Sequence, residues 1–220
     1  KKIKNSDTKI VITPHGPFMA LRKYPVWQKI LRNLLILFER QINKIYDLII
    51  QVNPYQNYWL KKEYNFKKNN IVYIPNGIDS SIFKNFNKNK FIKKYNLKNR
   101  FIITYIGRFH KYKGIQDVIL SLKEIVKKKK EILFIAMGSN SGYLDELKNL
   151  TAKLKLEDNV MFLENVSEEE KFQALEASEI FILPSEWEAF GIVILEAMAK
   201  SNAIISTNTE GGKFLVTHET

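Results

Sequence analysis

Apolar residues along this chain fall into short unbroken runs separated by helical stripes. Residues 101–107 (FIITYIG) form a near-continuous apolar run of strand length, as expected for a strand buried on both faces. Ile115, Val118, Ile119, Leu122, Ile125 and Val126 follow at helical spacing, and Lys127–Lys130 sit where a helix C-terminus favours cations. Residues 131–138 (EILFIAMG) predict the next strand, stopped by Gly138. Leu144, Leu147, Leu150 and Leu154 stripe a second helix, residues 160–164 (VMFLE) predict a short strand, and Ser167 with Glu170 forms a capping box opening a third helix. A strand at IFILPS, a helix around Val193–Ala199 and a strand at 203–207 (AIIST) complete the alternation. Such strand–helix repeats predict an α/β fold with a doubly wound parallel sheet.

The first half is less regular. Residues 9–16 (KIVITPHG) read as a strand ending in a turn, and Trp27–Tyr46 as one long helix of mixed apolar and basic residues. Residues 47–52 (DLIIQV) predict a buried strand and 70–79 (NIVYIPNGID) a strand followed by a turn. Residues 80–100 are polar and rich in Lys and Asn, with a helical patch at Phe91–Tyr95, so a domain boundary is expected near Asp79–Lys84.

Composition narrows the chemistry. The chain has 220 residues and no cysteine, which excludes disulfides, thiolate metal sites and cysteine nucleophiles and fits a cytoplasmic location. No apolar run approaches a membrane span of about 18 residues. Residues 1–100 hold 21 Lys and Arg against 5 Asp and Glu, a net of +16, while residues 101–220 hold 14 against 18, a net of −4. The basic half suits an anionic partner, such as a membrane surface or a phosphorylated lipid acceptor; the alternative is an ordinary solvated surface. The charge alone, without a recognition motif, does not indicate a nucleic-acid binder.

Two acids flank the run EAFGIVILE: Glu188, just beyond the IFILPS strand, and Glu196. If the span were helical they would stand about 12 Å apart. That exceeds the roughly 5 to 9.5 Å at which two carboxylates share one glycosidic bond as acid and base. The separation suits two groups holding opposite ends of an extended ligand, hence transfer from an activated donor. GRFHKYKG (107–114) joins a strand to a helix, with Gly107 allowing close backbone approach and Arg108 and Lys113 bringing two cations to the helix start. Taken alone it reads equally as a glycine turn with exposed cations. Gly191 opens another helix start where main-chain N–H groups can hold oxygens, although the same segment also reads as an ordinary amphipathic helix with Glu196 in solvent.

IPNGID, GRFHKYKG, the Gly138 strand end, VMFLENV and LPSEWEAFGIVILEAMA, in this order and spacing, resemble glycosyltransferase family 4 from about Thr13 to Gly212. The resemblance implies the GT-B fold, two facing Rossmann-like domains, and a retaining transferase using a nucleotide-diphosphate sugar as co-substrate, with no resident cofactor. Residues 1–80 then correspond to the end of the N-terminal, acceptor-side domain, and 81–220 to the nucleotide-sugar-binding domain without its last helices, so a fragment is expected. By the same resemblance Arg108 and Lys113 hold the diphosphate, Glu188 the donor sugar and Glu196 the ribose. Phe190, Gly191 and Ile192 offer main-chain contacts, and the base lies between Gly138 and Val166. His15 in TPHG faces the donor, whereas His110 and His218 read as surface residues.

The expected catalytic set is His15, Arg108, Lys113 and Glu188, with no metal, since no Asp/Glu cluster suggests one and the two cations neutralise the leaving diphosphate. The expected partners are a nucleotide-sugar donor, a sugar or lipid-linked acceptor and peripheral contact of the Trp27–Tyr46 helix with an anionic membrane, against a core-packed helix with a wet face. A non-catalytic nucleotide-binding module and a nucleotide-sugar epimerase are the alternatives. Departures from the family pattern are Ser201 and Ala203, where Gly and Pro are usual, and Leu215 after Gly211–Gly212 where a Glu is common.

Overall fold

The structure, a computed structural model, describes residues 7–15, 26–62, 64–66 and 70–216, with only the backbone at 26, 28, 29 and 32. Gly16, Arg22, Lys23 and His218 lie outside the described residues, as do the side chains of Lys29 and Arg32. In chain order the strands are β1 (Val11–Ile12), β2 (Leu48–Gln51), β3 (Ile71–Tyr73), β4 (Phe101–Ile106), β5 (Ile132–Gly138), β6 (Val160–Glu164), β7 (Ile180–Leu183) and β8 (Ala203–Ser206). The α-helices are α1 (Val26–Ile42), α2 (Asn57–Lys62), α3 (Lys88–Lys94), α4 (Ile115–Ile125), α5 (Leu144–Leu154), α6 (Glu168–Glu176), α7 (Ile192–Ala199) and α8 (Glu210–Leu215). No helix among the described residues is long and apolar enough to cross a membrane.

Contacts divide the chain into two units, the first comprising residues up to Gly77 together with Trp187–Phe190 and the chain from Glu210 onward. Its three strands pair in parallel in the order β1-β2-β3, with Ile49 opposite both Ile12 and Ile71. Ile36 of α1, Ile49, Trp59 and Leu60 of α2, Tyr64 and Phe66 form its core. The predicted helix Trp27–Tyr46 ends at Ile42 and tightens into a 3-10 turn at Asn43–Ile45. Only one large apolar side chain described on it, Ile36, is fully buried, while Trp27, Ile30, Leu31, Leu34, Leu37 and Phe38 are exposed.

The second unit, Ile78–Glu186 and Gly191–Thr209, holds a five-stranded parallel sheet in the order β6-β5-β4-β7-β8. The continuous apolar runs occupy its middle: β4 and β5 are buried on both faces because helices cover both sides of a parallel sheet. Phe91, Leu97, Ile102, Leu133, Ile135, Met137 and Ala174 fill one side of that core. Ser167 caps α6 as the pattern predicts, its Oγ accepting from Glu170 N at 3.2 Å. The Glu170 carboxylate turns instead to Lys94 Nζ at 2.5 Å and the Tyr95 hydroxyl at 2.7 Å, tying α6 to α3. A charged donor is a stronger partner for a carboxylate than one backbone N–H.

Ser201 stands in the left-handed region at φ 59°. There its Cβ is strained by about 1–2 kcal/mol, which glycine would relieve at a smaller cost in unfolded-chain entropy. Ser201→Gly is therefore expected to raise stability by about 0.5–1 kcal/mol in denaturant unfolding.

Candidate functional site

Within the second unit, β4 and β7 lie side by side, Ile103 opposite Ile180 and Thr104 opposite Phe181. From β4 the chain proceeds through β5 and β6 to one edge, and from β7 through β8 to the other. The direction of winding reverses between β4 and β7, and such a switch point opens a crevice at the carboxyl ends of the strands. The segments leaving those two ends are GRFHKYKG and the one that runs into α7.

The β4–α4 turn is tightly laced. Gly107 N donates to Met137 O and Phe109 N to Ser139 O, both at 2.9 Å, and the buried Tyr105 hydroxyl donates to Arg108 O at 3.0 Å. Gly107 and Gly138 make room for each other: a methyl on Gly138 would overlap the Gly107 carbonyl, and one on Gly107 would lie 2.5 Å from the Tyr105 oxygen. Gly107, read in the sequence as a point of ligand approach, thus has a packing reason of its own. Gly114 adopts φ 72° and faces the Pro184 carbonyl so closely that no side chain fits, which presses the start of α4 against the segment leaving β7.

Tyr112, which no sequence signal singles out, organises both cations. Its hydroxyl accepts from Arg108 Nη2 at 2.7 Å and its ring centre lies 5.2 Å from Lys113 Nζ. Its N–H donates to His110 Nδ1 at 3.3 Å and its carbonyl accepts from Glu186 N at 2.8 Å. His110 is thus not a plain surface residue: half-buried, it caps the 3-10 turn Lys111–Lys113, and its ring lies 4.6 Å from that of Tyr112 at a tilt of 53°. Arg108 itself is exposed, with its guanidinium held in one orientation.

Glu196 projects from the second turn of α7 and is buried, not solvent-facing. Its Oε1 accepts from Lys171 Nζ at 2.9 Å, and its Oε2 is a buried acceptor with no hydrogen-bond partner. Lys171, on α6, also meets Glu168 at 3.0 Å and lies over the Phe172 ring at 4.3 Å. The sequence reading missed Lys171 because α6 reads as an acidic, amphipathic helix whose one lysine looks solvated. Val166, two residues beyond the end of β6, packs its side chain on the core.

Gly191 starts α7 in a left-handed conformation at φ 81°, and Ile192 is exposed. Helix begins only at Ile192, so the helical repeat does not measure the Glu188–Glu196 separation. Glu188 and Phe190 belong to the first unit, where Gly211 N donates to Glu188 O at 2.9 Å and the buried Phe190 ring lies 5.8 Å from Phe214. His15, also in the first unit, follows β1 and is exposed. Among the described residues no group of three or more His, Cys, Asp or Glu is arranged to hold a metal.

The family pattern of glycosyl transferases group 1 matches residues 87–220, and that of glycosyltransferase family 4 matches residues 1–82. The chain belongs to the group 1 glycosyltransferase family. The capsular polysaccharide biosynthesis glycosyltransferase CapM of Staphylococcus aureus is 34% identical over 66% of this chain and 39% of its own. Mannosylfructose-phosphate synthase of Agrobacterium fabrum is 27% identical over 76% of this chain and 39% of its own. The chain thus spans about two-fifths of the length of these curated relatives. The crystal structure of Anabaena HepE in complex with UDP and glucose superposes with a TM-score of 0.81 at 20% identity, covering 96% of this chain and 56% of that one. This likeness establishes the GT-B fold for the group 1 chain, with two parallel sheets.

Removing one partner of a buried ion pair leaves an uncompensated charge and costs about 3–5 kcal/mol. Lys171→Met is expected to lose stability of that order in urea unfolding, and Lys171→Met with Glu196→Leu to recover most of it.

Proposed function

We propose that the protein is a retaining hexosyltransferase, moving a hexosyl group from a nucleotide-diphosphate sugar to a hydroxyl of a sugar or lipid-linked acceptor in glycan assembly. The observation that carries this reading is Glu196 Oε2, a buried acceptor without a partner on a carboxylate already neutralised by Lys171. Burying an unsatisfied acceptor costs about 1–3 kcal/mol, so it persists where a ligand completes it. A ribose hydroxyl is a donor of the right kind.

In this reading Arg108 and Lys113, arrayed about Tyr112, take the diphosphate, and the N–H groups of Phe190, Gly191 and Ile192 take donor oxygens at a helix start. The base lies against the main chain of Gly107, Gly138 and Val166, while Glu188 and His15 hold the sugar. The bond from the anomeric carbon to the phosphate oxygen breaks as the acceptor hydroxyl attacks from the same face, its proton passing to the departing phosphate. Charge grows on that phosphate, where the two fixed cations stabilise it, and removing one such contact costs about 2.7–4 kcal/mol of barrier. The cations supply the neutralisation that a metal would otherwise give, so turnover is expected to survive EDTA. UDP appears as a ligand of HepE and a capsular role in the name of CapM, and both support this reading.

Calorimetry with UDP, GDP and ADP tests it. One of the three is expected to bind, and Arg108→Ala to weaken that binding about 10–100-fold, as loss of a charge-assisted hydrogen bond does. Unchanged affinity in Arg108→Ala, or binding of none by the wild-type protein, would refute the assignment.

We also propose that α1 contacts an anionic membrane. Trp27, Ile30, Leu31, Leu34, Leu37 and Phe38 are exposed on a helix whose half of the chain carries a net charge of +16. Apolar insertion and attraction to acidic headgroups act together on such a surface. Sedimentation with acidic vesicles at low salt, reduced at high salt and abolished by Leu34→Asp with Phe38→Asp, is the expected result; equal binding to neutral vesicles, or none, would end the idea.

A further inference from the structure

Two of the three carbonyl groups of the segment Glu188–Ala189–Phe190 accept hydrogen bonds within the first unit, and the third is tightly packed. Gly211 N donates to Glu188 O at 2.9 Å, and Asn53 Nδ2 donates to Ala189 O. Gly211 also lies so close to Phe190 O that a methyl in its place would overlap that oxygen. A trans peptide is planar with its N–H opposed to its C=O, and the described residues contain no cis bond. Holding the Glu188 and Ala189 carbonyls therefore turns the N–H groups of Ala189 and Phe190 the opposite way. Neither of the two donates a backbone hydrogen bond among the described residues.

Asn53 is fully buried at the end of β2 and caps the 3-10 turn Pro54–Gln56. Its Oδ1 accepts from Tyr55 N at 2.8 Å and from Gln56 N at 3.2 Å, so the amide orientation follows from its partners. Val52 N donates to Gln56 Oε1 at 2.8 Å and braces the same turn. Asp, Ser and Thr cap such turns equally well. Of these residues, only Asn joins a capping acceptor to an amide donor on one rigid group.

We infer that Asn53 is a positioning residue for the donor sugar: it sets the Ala189–Phe190 peptide, and so aims the main-chain donors and the adjoining Glu188. The inference rests on the proposed function for its consequence but not for its geometry. In that reading Arg108, Lys113 and Glu196 hold the nucleotide and Glu188 the sugar, so Asn53 bears on the sugar and not on the nucleotide.

The test uses Asn53→Ser, which keeps a cap and loses the amide, and Asn53→Asp, which keeps the cap and sets a carboxylate against the Ala189 carbonyl. Gly211 amide exchange, read by NMR, reports whether the segment is held. It is expected to quicken about five- to tenfold in Asn53→Ser and further in Asn53→Asp, as loss of one hydrogen bond implies. Calorimetry with UDP and UDP-glucose is expected to give unchanged UDP affinity and a loss of about five- to tenfold in the advantage of UDP-glucose over UDP. Unaltered Gly211 exchange overturns the inference whatever the protein binds. Equal weakening of UDP and UDP-glucose also overturns it, because a general folding defect would act so. A wild-type protein that binds neither probe moves the same comparison to GDP and ADP and their glucose conjugates; binding of none sinks the functional reading, while the exchange measurement still decides the place of Asn53.

Discussion

Parallel pairing of β4 with β7 is the constraint on which the second unit turns. Parallel strands send their carboxyl ends to one edge, and a reversal of winding between neighbours leaves that edge open. The pairing brings the turn after β4 against the segment after β7, close enough that Gly114 meets the Pro184 carbonyl and Glu186 bonds to Tyr112. Two segments about 80 residues apart in the chain thereby share one crevice wall, as the doubly wound topology requires.

Electrostatics differs between the segments that follow β4 and β7. At the β4 end, Arg108 and Lys113 gather about one tyrosine, whose hydroxyl and ring hold cations without neutralising them. At the α7 end, Lys171 neutralises Glu196 and leaves one of its oxygens unsatisfied. The first arrangement favours an anion and the second a neutral hydroxyl donor. In the proposed reading the first takes the diphosphate and the second the ribose, so that reading depends on pairs of side chains more than on any single residue.

The strands and helices of the second unit were legible because a sheet covered on both faces needs continuous apolar runs, and β4 and β5 are such runs. The first unit was harder to read. β1 and β3 are short, and α1 keeps much of its apolar face exposed, so burial is a poor guide to its periodicity. The capping box at Ser167 was half right, since its glutamate is taken by Lys94 and Tyr95 from α3, a contact no local pattern encodes.

The sequence by itself determined the alternation of strand and helix, the glycine turn after β4, the helix start at Gly191 and membership of the family. Only the tertiary structure decided that Glu196 is buried against Lys171, 25 residues away, and that Asn53 reaches Ala189, 136 residues away. It also assigned Glu188–Phe190 to the unit built around β1–β3 and not to the one that precedes them in the chain. Periodicity and capping report interactions between residues a few positions apart. Which lysine meets which carboxylate, and which amide meets which carbonyl, depends on strand order and helix packing, and these exist only once the chain has closed on itself.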